Sequence, residues 1–339
     1  MNYELSISVF MPVYNGAEYL ERSIGSVMRQ TYADWELIAL DDESTDDSLA
    51  VLNRLAAADS RIKVVRKHND GLGNTARNIS IINSHASGEF YFYMSQDDAI
   101  APDFFEKAIT TARERRLDIV VPDMLLSYSD GSTRAVNGSF PSGGDHTLVL
   151  SGREAFYESI DFSINGFALI RRRLIDAMPH DLCHYDSDEY NTRLEFLSAD
   201  RVGFCASTFF YYQDNANAMT KRFSVRWFQR LQTARMLDDV FCRVFSDRWR
   251  VARMKTWLMG MYINMSVEYM KRLRQMTPME LSVADSLFFE FEARADFSGS
   301  RLAVLSRLGA VEKCFALWYF LFGKCRNMAW LYSLYKSLF

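Results

Sequence analysis

The chain has 339 residues, of which 49% are apolar and 24% are charged. This balance excludes a wholly disordered chain and allows one large domain with a smaller one beside it. The five cysteines are scattered and form no C-x-x-C pair, which argues against a disulfide framework or a zinc site.

The first half of the chain alternates short apolar strands with helical patterns. The expected order is strand 7–12, helix 17–30, strand 35–40, helix 48–57, strand 62–66, helix 71–84 and strand 90–94. Regular alternation of this kind predicts an α/β fold with a mostly parallel sheet covered by helices on both faces. Ligands of such sheets bind at the carboxyl ends of the strands.

The second half is less regular. Strands are expected at 118–126 and 201–212, with a helix, a strand and a helix between residues 153 and 174. Residues 129–144 are rich in Gly, Ser, Pro and Asn and are predicted to form a loop over the site. Long helical patterns follow from about residue 223. We therefore expect two domains, a catalytic domain over residues 1–220 and a helical region over residues 221–339.

Charge divides the chain in a similar way. Residues 221–339 carry 20 Lys and Arg against 10 Asp and Glu, whereas the first 220 residues carry 19 against 33. An acidic first part suits metal–phosphate chemistry, and a basic, aromatic second part suits an anionic surface. Nucleic acid is the competing partner for the basic part. No nucleic-acid-binding motif accompanies the charge, so we expect no nucleic-acid partner.

The second predicted strand ends in an acidic segment. Asp41 and Asp42 are followed within a few residues by the start of a helix. Ser44 or Thr45 could simply cap that helix, with the acids offsetting its dipole. A cap does not explain why two carboxylates stand before it. A carboxylate at this strand end can accept a hydrogen bond from the base or ribose of a nucleotide.

A second acidic pair, Asp97 and Asp98, follows Gln96 at the end of the fourth predicted strand. Adjacent carboxylates repel each other, and a divalent cation relieves this repulsion. Mg²⁺ or Mn²⁺ takes one or two carboxylates and fills its other positions with phosphate oxygens and water. The pair therefore indicates a metal–diphosphate site, although an exposed acidic turn before a helix near Pro102 would have the same sequence.

Five motifs in series resemble the family 2 glycosyltransferases. They are VFMPVYN at 9–15, SVMRQT at 26–31, WELI leading into DDESTD at 35–46, HNDG with ARN at 68–78, and GEF leading into QDD at 88–98. The resemblance is strong over residues 5–110 and loose over 150–220. It implies the GT-A nucleotide-sugar fold, an inverting transfer and Mn²⁺ or Mg²⁺ as cofactor. Family members often carry Asp in place of Ser95, and Gly in place of Glu43 and Asp47.

The resemblance also implies roles for individual residues. Those expected to bind the nucleotide sugar are Pro12, Tyr14, Asp41, Asp42, Asn74, Arg77, Gln96 and Asp97. Among them Asp42 is the expected contact to the base, and Asn74 and Arg77 would lie beside the sugar and the diphosphate. Arg77 could instead be a helix residue paired with a nearby acid. Asp98 is the expected metal ligand.

An inverting transfer also needs a base that takes the proton of the acceptor hydroxyl. Residues 186–194 resemble the acidic catalytic motif of the family, with an Arg several residues after the acids. The register is ambiguous, so Asp188 is the first choice, Glu189 the second and Asp186 the third. These acids could instead cap a helix. Arg193 would orient the acid or the diphosphate, or form a surface ion pair of little energetic value.

The end of the chain is basic and aromatic. Residues 315–322 and 330–339 combine Trp, Tyr and Phe with Lys and Arg, a composition typical of helices that bind an anionic lipid surface. A helix packed on the catalytic domain or on a second copy of the chain would have the same pattern. No span is long enough to cross a bilayer, and no signal peptide is evident. The expected location is cytoplasmic, at most peripheral at the inner membrane.

These observations favour an inverting hexosyl- or N-acetylhexosaminyltransferase. The expected donor is a nucleotide-diphosphate sugar, foremost a UDP-sugar, and the expected acceptor is a glycan or lipid-linked glycan of bacterial surface polysaccharide or lipooligosaccharide synthesis. A sugar-nucleotide pyrophosphorylase would need a Gly-rich, Lys- or Arg-bearing loop after the first strand, which residues 12–15 do not supply. A catalytically inactive nucleotide-sugar-binding module is the other alternative.

Overall fold

The computed structural model describes residues 6–69, 75–136, 144–178, 185–218 and 221–295. The chain divides into two compact units. Met1–Cys183 with Ser187–Arg222 forms the first, and His184–Asp186 with Phe223–Phe339 forms the second. Each unit has its own hydrophobic core. The functional division at residue 220 stays a prediction.

The first unit is built on one sheet, which has ten strands among the described residues. They are β1 (Ile7–Val13), β2 (Trp35–Asp41), β3 (Ile62–Arg66), β4 (Phe90–Tyr93), β5 (Ala99–Ile100), β6 (Ile119–Ser127), β7 (Thr133–Ala135), β8 (Val149–Leu150), β9 (Leu169–Arg171) and β10 (Val202–Tyr212). The main path runs β3-β2-β1-β4-β9-β6-β10-β5, with β7 beside β6 and β8 beside β10.

Most of the sheet is parallel, as predicted. β1, β2, β3 and β4 pair in parallel, and so do β6 and β10. The short strands β5, β7, β8 and β9 pair antiparallel to their neighbours. The prediction of a loop over residues 129–144 is wrong at Thr133–Ala135, which forms β7 at the edge of the sheet. All three residues of β7 are exposed, so the segment lacks the apolar alternation that marks a strand in a sequence.

Helices cover both faces of this sheet. The first unit contains α1 (Ala17–Met28), α2 (Ser48–Ala58), α3 (Thr75–Asn83), α4 (Phe104–Arg115), α5 (Gly152–Ser159), α6 (Arg172–Asp176) and α7 (Ser187–Ser198). Side chains alternate along β1, so that Val9 and Met11 pack with α1, α2 and α4, whereas Phe10 packs with α3, α5, α6 and α7. Because helices bury both faces, only the strand ends are left to form a site.

The second unit is helical. A 3-10 helix at Val225–Gln229 precedes α8 (Arg230–Val244), α9 (Arg248–Arg272) and α10 (Pro278–Arg294). Within residues 221–295 and the other described ranges, no helix combines the length and apolarity needed to cross a membrane. The basic aromatic segments at 315–322 and 330–339 lie outside the described residues. Their expected binding to a lipid surface or to a second subunit therefore stays a prediction.

Glu36 joins the amino-terminal ends of the central strands. Its carboxylate accepts hydrogen bonds from the Ser8 hydroxyl at 2.7 Å and from the Ser87 amide and hydroxyl at 2.5 and 2.9 Å. The Lys63 ammonium lies 2.5 Å away. Burial opposes ionisation of Glu36, but the hydrogen bonds from Lys63, Ser8 and Ser87 outweigh it and lower its pKa to about 2.

This hydrogen-bonded carboxylate should contribute to stability in a pH-dependent way. The folded pKa lies below the ordinary value of 4.5, so the stabilisation is complete above that pH and is lost as the pH falls toward 2. We expect Glu36→Gln to reduce the free energy of unfolding by about 1–3 kcal/mol at pH 7 and by less at pH 3. Chemical denaturation at both pH values measures this. Equal losses would show that the charge of Glu36 does not contribute.

Candidate functional site

Three loops meet at the carboxyl edge of the sheet. They follow β1, β2 and β4 and comprise residues 14–16, 42–47 and 94–98. Because the three strands are parallel neighbours, their carboxyl ends lie side by side. All of the acids predicted to bind the donor or the metal lie in these loops or at the last position of β2. The edge therefore brings together residues that are far apart in sequence.

The first two loops are hydrogen-bonded to each other. The side-chain oxygen of Asn15 accepts from the Thr45 amide at 2.8 Å, and the hydroxyl oxygen of Ser44 accepts from the Asn15 amide at 3.0 Å. The hydroxyl oxygen of Ser48 accepts from the Gly16 amide at 2.8 Å. Ser44 and Thr45 thus bind the neighbouring loop and do not cap α2, which begins at Ser48. The capping interpretation of this segment is wrong.

Asp41 and Asp42 each pair with a basic side chain at the end of β3. Asp41 pairs with Arg66, the last residue of the strand, and Asp42 pairs with Lys67, the next residue. Asp41 is fully buried, with Oδ2 3.2 Å from Arg66 Nε and Oδ1 accepting from the Ser44 amide. Asp42 Oδ1 lies 2.5 Å from Lys67 Nζ. Asp41 Oδ1 thus ties its own loop to the end of β2. The expected contacts of Asp41 and Asp42 to the nucleotide stay predictions.

Gln96 is bonded to Tyr14 through both ends of its amide. Gln96 Oε1 accepts from the Tyr14 backbone amide at 2.9 Å, and Nε2 donates to the Tyr14 carbonyl at 3.1 Å. This approach requires glycine at position 16, since a Cβ there would lie 2.3 Å from Gln96 Oε1. The Tyr14 side chain is 49% exposed. Gln96 therefore positions the Tyr14 backbone, and the expected contacts of Gln96 and Tyr14 to the donor stay predictions.

The acidic pair after β4 contains one buried and one accessible carboxylate. Asp98 is fully buried, and its Oδ1 accepts from the Tyr212 amide at 2.9 Å. Burial, and then the nearby charge of Asp97, raise the pKa of Asp98. Asp97 is partly exposed and its Oδ2 accepts from the Asn215 side chain at 2.7 Å. The alternative of an exposed acidic turn is wrong for Asp98.

The pair fits a metal that is held mainly by its substrate. The described residues contain no group of three or more His, Cys, Asp or Glu that could hold a metal ion by themselves. Mg²⁺ and similar hard cations need only one or two protein carboxylates when phosphates supply further oxygens. Asp97 Oδ1 has no hydrogen-bond partner among the described residues, and the same is true of Asp98 Oδ2. Asp97 is the more exposed of the two, and the expected role of Asp98 as the metal ligand stays a prediction.

The predicted catalytic acid approaches the same edge from α7. Asp188 lies in the first turn of that helix. Burial raises the pKa of Tyr93 at the end of β4, and the negative charges of Asp188, Asp98 and Asp97 raise it further. The charges of the acid of α7 and of both acids after β4 therefore act on the Tyr93 hydroxyl. The position of Asp188 beside Asp97 and Asp98 stays a prediction.

The other two candidates for the base are engaged elsewhere. Glu189 pairs with Arg193 at 3.0 Å, and Arg193 is 2% exposed. The interpretation of Arg193 as a surface ion pair is thus wrong. Asp186 belongs to the second compact unit, in which its Oδ1 accepts from the Thr233 hydroxyl at 2.5 Å. The choice of Asp188 over Glu189 and Asp186 as the base stays a prediction.

The remaining predicted donor residues are only partly described. Pro12 lies in β1 one residue before its end, and its side chain is half-buried. Arg77 is exposed near the start of α3, which is at the carboxyl edge because α3 follows β3. Asn74 lies outside the described residues. The roles of Arg77 and Asn74 at the diphosphate stay predictions.

Two residues that were not predicted to act at the acidic pair support it. The Arg22 guanidinium donates to the Asp97 carbonyl and lies 3.7 Å from the centroid of the Tyr212 ring. Asn215, which is 4% exposed, holds the Asp97 carboxylate from the loop after β10. No sequence signal links these positions, because their proximity depends on the order of strands in the sheet.

With this geometry established, comparison with known proteins identifies the family. The model of glycosyl transferase family 2 matches residues 8–178, which is half of the chain and includes the strand ends described above. The chain belongs to glycosyl transferase family 2. The resemblance noted in its motifs is thereby confirmed, and the chain is a glycosyltransferase.

Two curated relatives of this family 2 glycosyltransferase come from bacteria. Glycosyltransferase GlyG of Streptococcus pneumoniae serotype 4 is 25% identical over 305 residues, which cover 85% of this chain and 97% of GlyG. The chondroitin synthase of Pasteurella multocida is 34% identical over 136 residues, which cover 40% of this chain and 14% of the synthase. The similarity thus extends over nearly all of GlyG but over a small part of the synthase.

Solved structures share the fold of this family 2 glycosyltransferase. S. aureus TarS 1–349 in complex with UDP-GlcNAc matches with a TM-score of 0.65 and 15% identity, over 94% of this chain and 92% of that one. The mannosyltransferase PcManGT of Pyrobaculum calidifontis, in complex with GDP-Man and Mn²⁺, matches with a TM-score of 0.51 and 14% identity, over 97% and 88%. The predicted GT-A fold is confirmed.

Proposed function

We propose that this glycosyltransferase transfers a sugar, with inversion, from a UDP-sugar to a glycan or lipid-linked glycan in the synthesis of a bacterial surface polysaccharide. The observation that carries the proposal is the meeting of the loops after β1, β2 and β4 at one edge of the sheet, which brings Asp42, Asp97 and Asp98 to that edge. The UDP-GlcNAc bound to TarS and the name of the chondroitin synthase support the donor and product classes. An N-acetylhexosamine is accordingly the first donor sugar to test.

The nucleoside end of the donor is assigned to the loops after β1 and β2. The exposed Tyr14 ring offers a surface for the base, and the Asp42 carboxylate can accept a hydrogen bond from the base or the ribose. Gln96 holds the Tyr14 backbone in place from the loop after β4. These contacts leave the diphosphate beside Asp97, with Arg77 and Asn74 proposed to lie next to it.

The leaving diphosphate needs its negative charge neutralised. When bound, Mn²⁺ or Mg²⁺ acts as a Lewis acid and supplies the positive charge that neutralises the diphosphate oxygens. Asp97 is the carboxylate proposed to hold the metal, with its second oxygen fixed by Asn215. Asp98 is proposed to anchor the loop through the Tyr212 amide.

The acceptor hydroxyl is proposed to lose its proton to Asp188. A carboxylate within hydrogen-bond reach of the attacking hydroxyl acts as a general base in a single displacement, which inverts the anomeric carbon. Arg193 holds Glu189 one residue away, so that the charge of Glu189 is neutralised beside the base. Asp188 is therefore the first of the three candidate acids to test for this step.

A donor screen with the purified full chain tests the proposal. We expect a UDP-sugar to give the largest thermal shift among UDP-, GDP- and CMP-sugars, and to release UDP only when Mn²⁺ or Mg²⁺ is present. Nucleotide binding without diphosphate release, with any donor and any acceptor, would indicate an inactive binding module. Formation of a nucleotide sugar from a nucleoside triphosphate and a sugar phosphate would indicate a pyrophosphorylase.

A further inference from the structure

Phe162 is an exposed aromatic residue with an unfavourable backbone conformation. Its side chain is 50% exposed, whereas most large apolar residues of the first unit are buried. Its φ is +63°, in the left-handed region that bulky L-residues avoid. Residues held in this region cluster at ligand-binding and active sites, because the surrounding structure must compensate for the strain.

The loop that carries Phe162 lies against the first turns of α7. Helix α5 begins beside the end of α7, since a Cβ at Gly152 would lie 2.1 Å from the carbonyl oxygen of Ala199. The chain then passes Phe162 and reaches Gly166, at which a Cβ would lie 2.9 Å from the Thr192 side chain. The loop after α5 therefore passes beside Thr192 in the middle of α7, about one helical turn from Asp188.

Arg193 fixes the ring of Phe162 in this place. The guanidinium carbon lies 4.8 Å from the ring centroid, within the range of a cation–π contact. Arg193 is itself buried and pairs with Glu189, the neighbour of Asp188. The exposed ring of Phe162 thus contacts Arg193, and Arg193 in turn contacts Glu189, which is next to Asp188. The donor residues Tyr14 and Asp42 lie instead in the loops after β1 and β2.

We propose that Phe162 is a stacking platform for a sugar ring of the acceptor. The inference rests on the proposed function, because it is the assignment of Asp188 as base that makes this turn the acceptor side. A flat apolar ring presented to solvent matches the C–H face of a pyranose, and its immobilisation by Arg193 reduces the ordering cost of binding. The strained φ is maintained because it directs the ring outward.

The test measures the acceptor and donor KM of variants at position 162. Methyl β-glycosides of glucose, galactose and N-acetylglucosamine serve as acceptor probes. We expect Phe162→Ala to raise the acceptor KM about tenfold, the loss of a stacked ring, while donor KM and donor hydrolysis stay unchanged. Phe162→Trp should retain the acceptor KM. Phe289→Ala, which removes an exposed aromatic from α10 in the second unit, is the matched control and should change neither KM.

Two further measurements separate a loss of acceptor binding from a loss of stability. Phe162→Gly should be at least as thermally stable as Phe162→Ala, because glycine tolerates the positive φ, and it should show the same acceptor defect. Saturation-transfer NMR with the same glycosides should lose its signal in both variants, whether or not they turn over. An unchanged acceptor KM and NMR signal in folded Phe162→Ala would overturn the inference, as would an equal rise in donor KM. Absence of UDP release by the unmodified chain would count against the proposed function instead.

Discussion

Replacing Asp188 with Asn should reduce sugar transfer by about 100-fold or more, because an amide cannot take the proton of the acceptor hydroxyl. The affinity for the donor should stay nearly unchanged, since Asp188 is assigned to the acceptor side. Rates of transfer measured with saturating donor, together with donor binding by calorimetry, distinguish the two effects. The carboxylate and the amide have similar shapes, so the fold should not be disturbed.

Two neighbouring acids provide controls for this result. Glu189→Gln removes a carboxylate that is paired with Arg193, and Asp186→Asn removes one that accepts from Thr233 in the second unit. Both variants should retain more transfer activity than Asp188→Asn. If Glu189→Gln alone abolished transfer while Asp188→Asn did not, the register of the catalytic acid would be displaced by one residue.

Asp97→Asn should remove metal-dependent turnover, with a loss of about 100-fold or more. An amide oxygen is a weaker ligand than a carboxylate for a hard cation, and Asp97 is the accessible acid of the pair. The electron paramagnetic resonance of Mn²⁺ in the presence of UDP gives a readout that does not depend on activity. The Mn²⁺ affinity should fall in parallel with turnover.

Asp98→Asn is the matched comparison for the metal. Its side-chain oxygen can still accept from the Tyr212 amide, so the loop should keep its position and Mn²⁺ should still bind. The opposite result, with Mn²⁺ binding lost in Asp98→Asn and retained in Asp97→Asn, would show that Asp98 is the metal ligand. The comparison therefore decides between two adjacent carboxylates that the sequence pattern does not separate.

The sequence predicts the position of the site better than it predicts the orientation of its side chains. The β-α-β alternation is a local pattern, and it is sufficient to place the segments that contain Asp42 and Asp97 at one edge of a sheet. Whether Asp97 or Asp98 faces solvent depends on the backbone of a turn. That choice is fixed by the contacts of Tyr212 at the end of β10 and of Asn215 in the loop after it, more than 100 residues away in the sequence.

Other differences have the same origin. The amide of Gln96 reaches the Tyr14 backbone because β1 pairs with β4. Asp186 shares an acidic segment with Asp188, yet the two residues belong to different compact units. Strand β9 lies between β4 and β6, an arrangement that no local periodicity encodes. Long-range packing decides each of these features.

The hydrogen bonds that join the loops after β1 and β2 have a kinetic consequence. Asn15, Ser44 and Ser48 hold these loops together through hydrogen bonds of the protein itself. A surface that is held together by its own hydrogen bonds loses little binding energy to ordering. It therefore binds the nucleoside diphosphate product as firmly as the donor. Departure of the nucleoside diphosphate would then limit each catalytic cycle, and its accumulation would slow the enzyme.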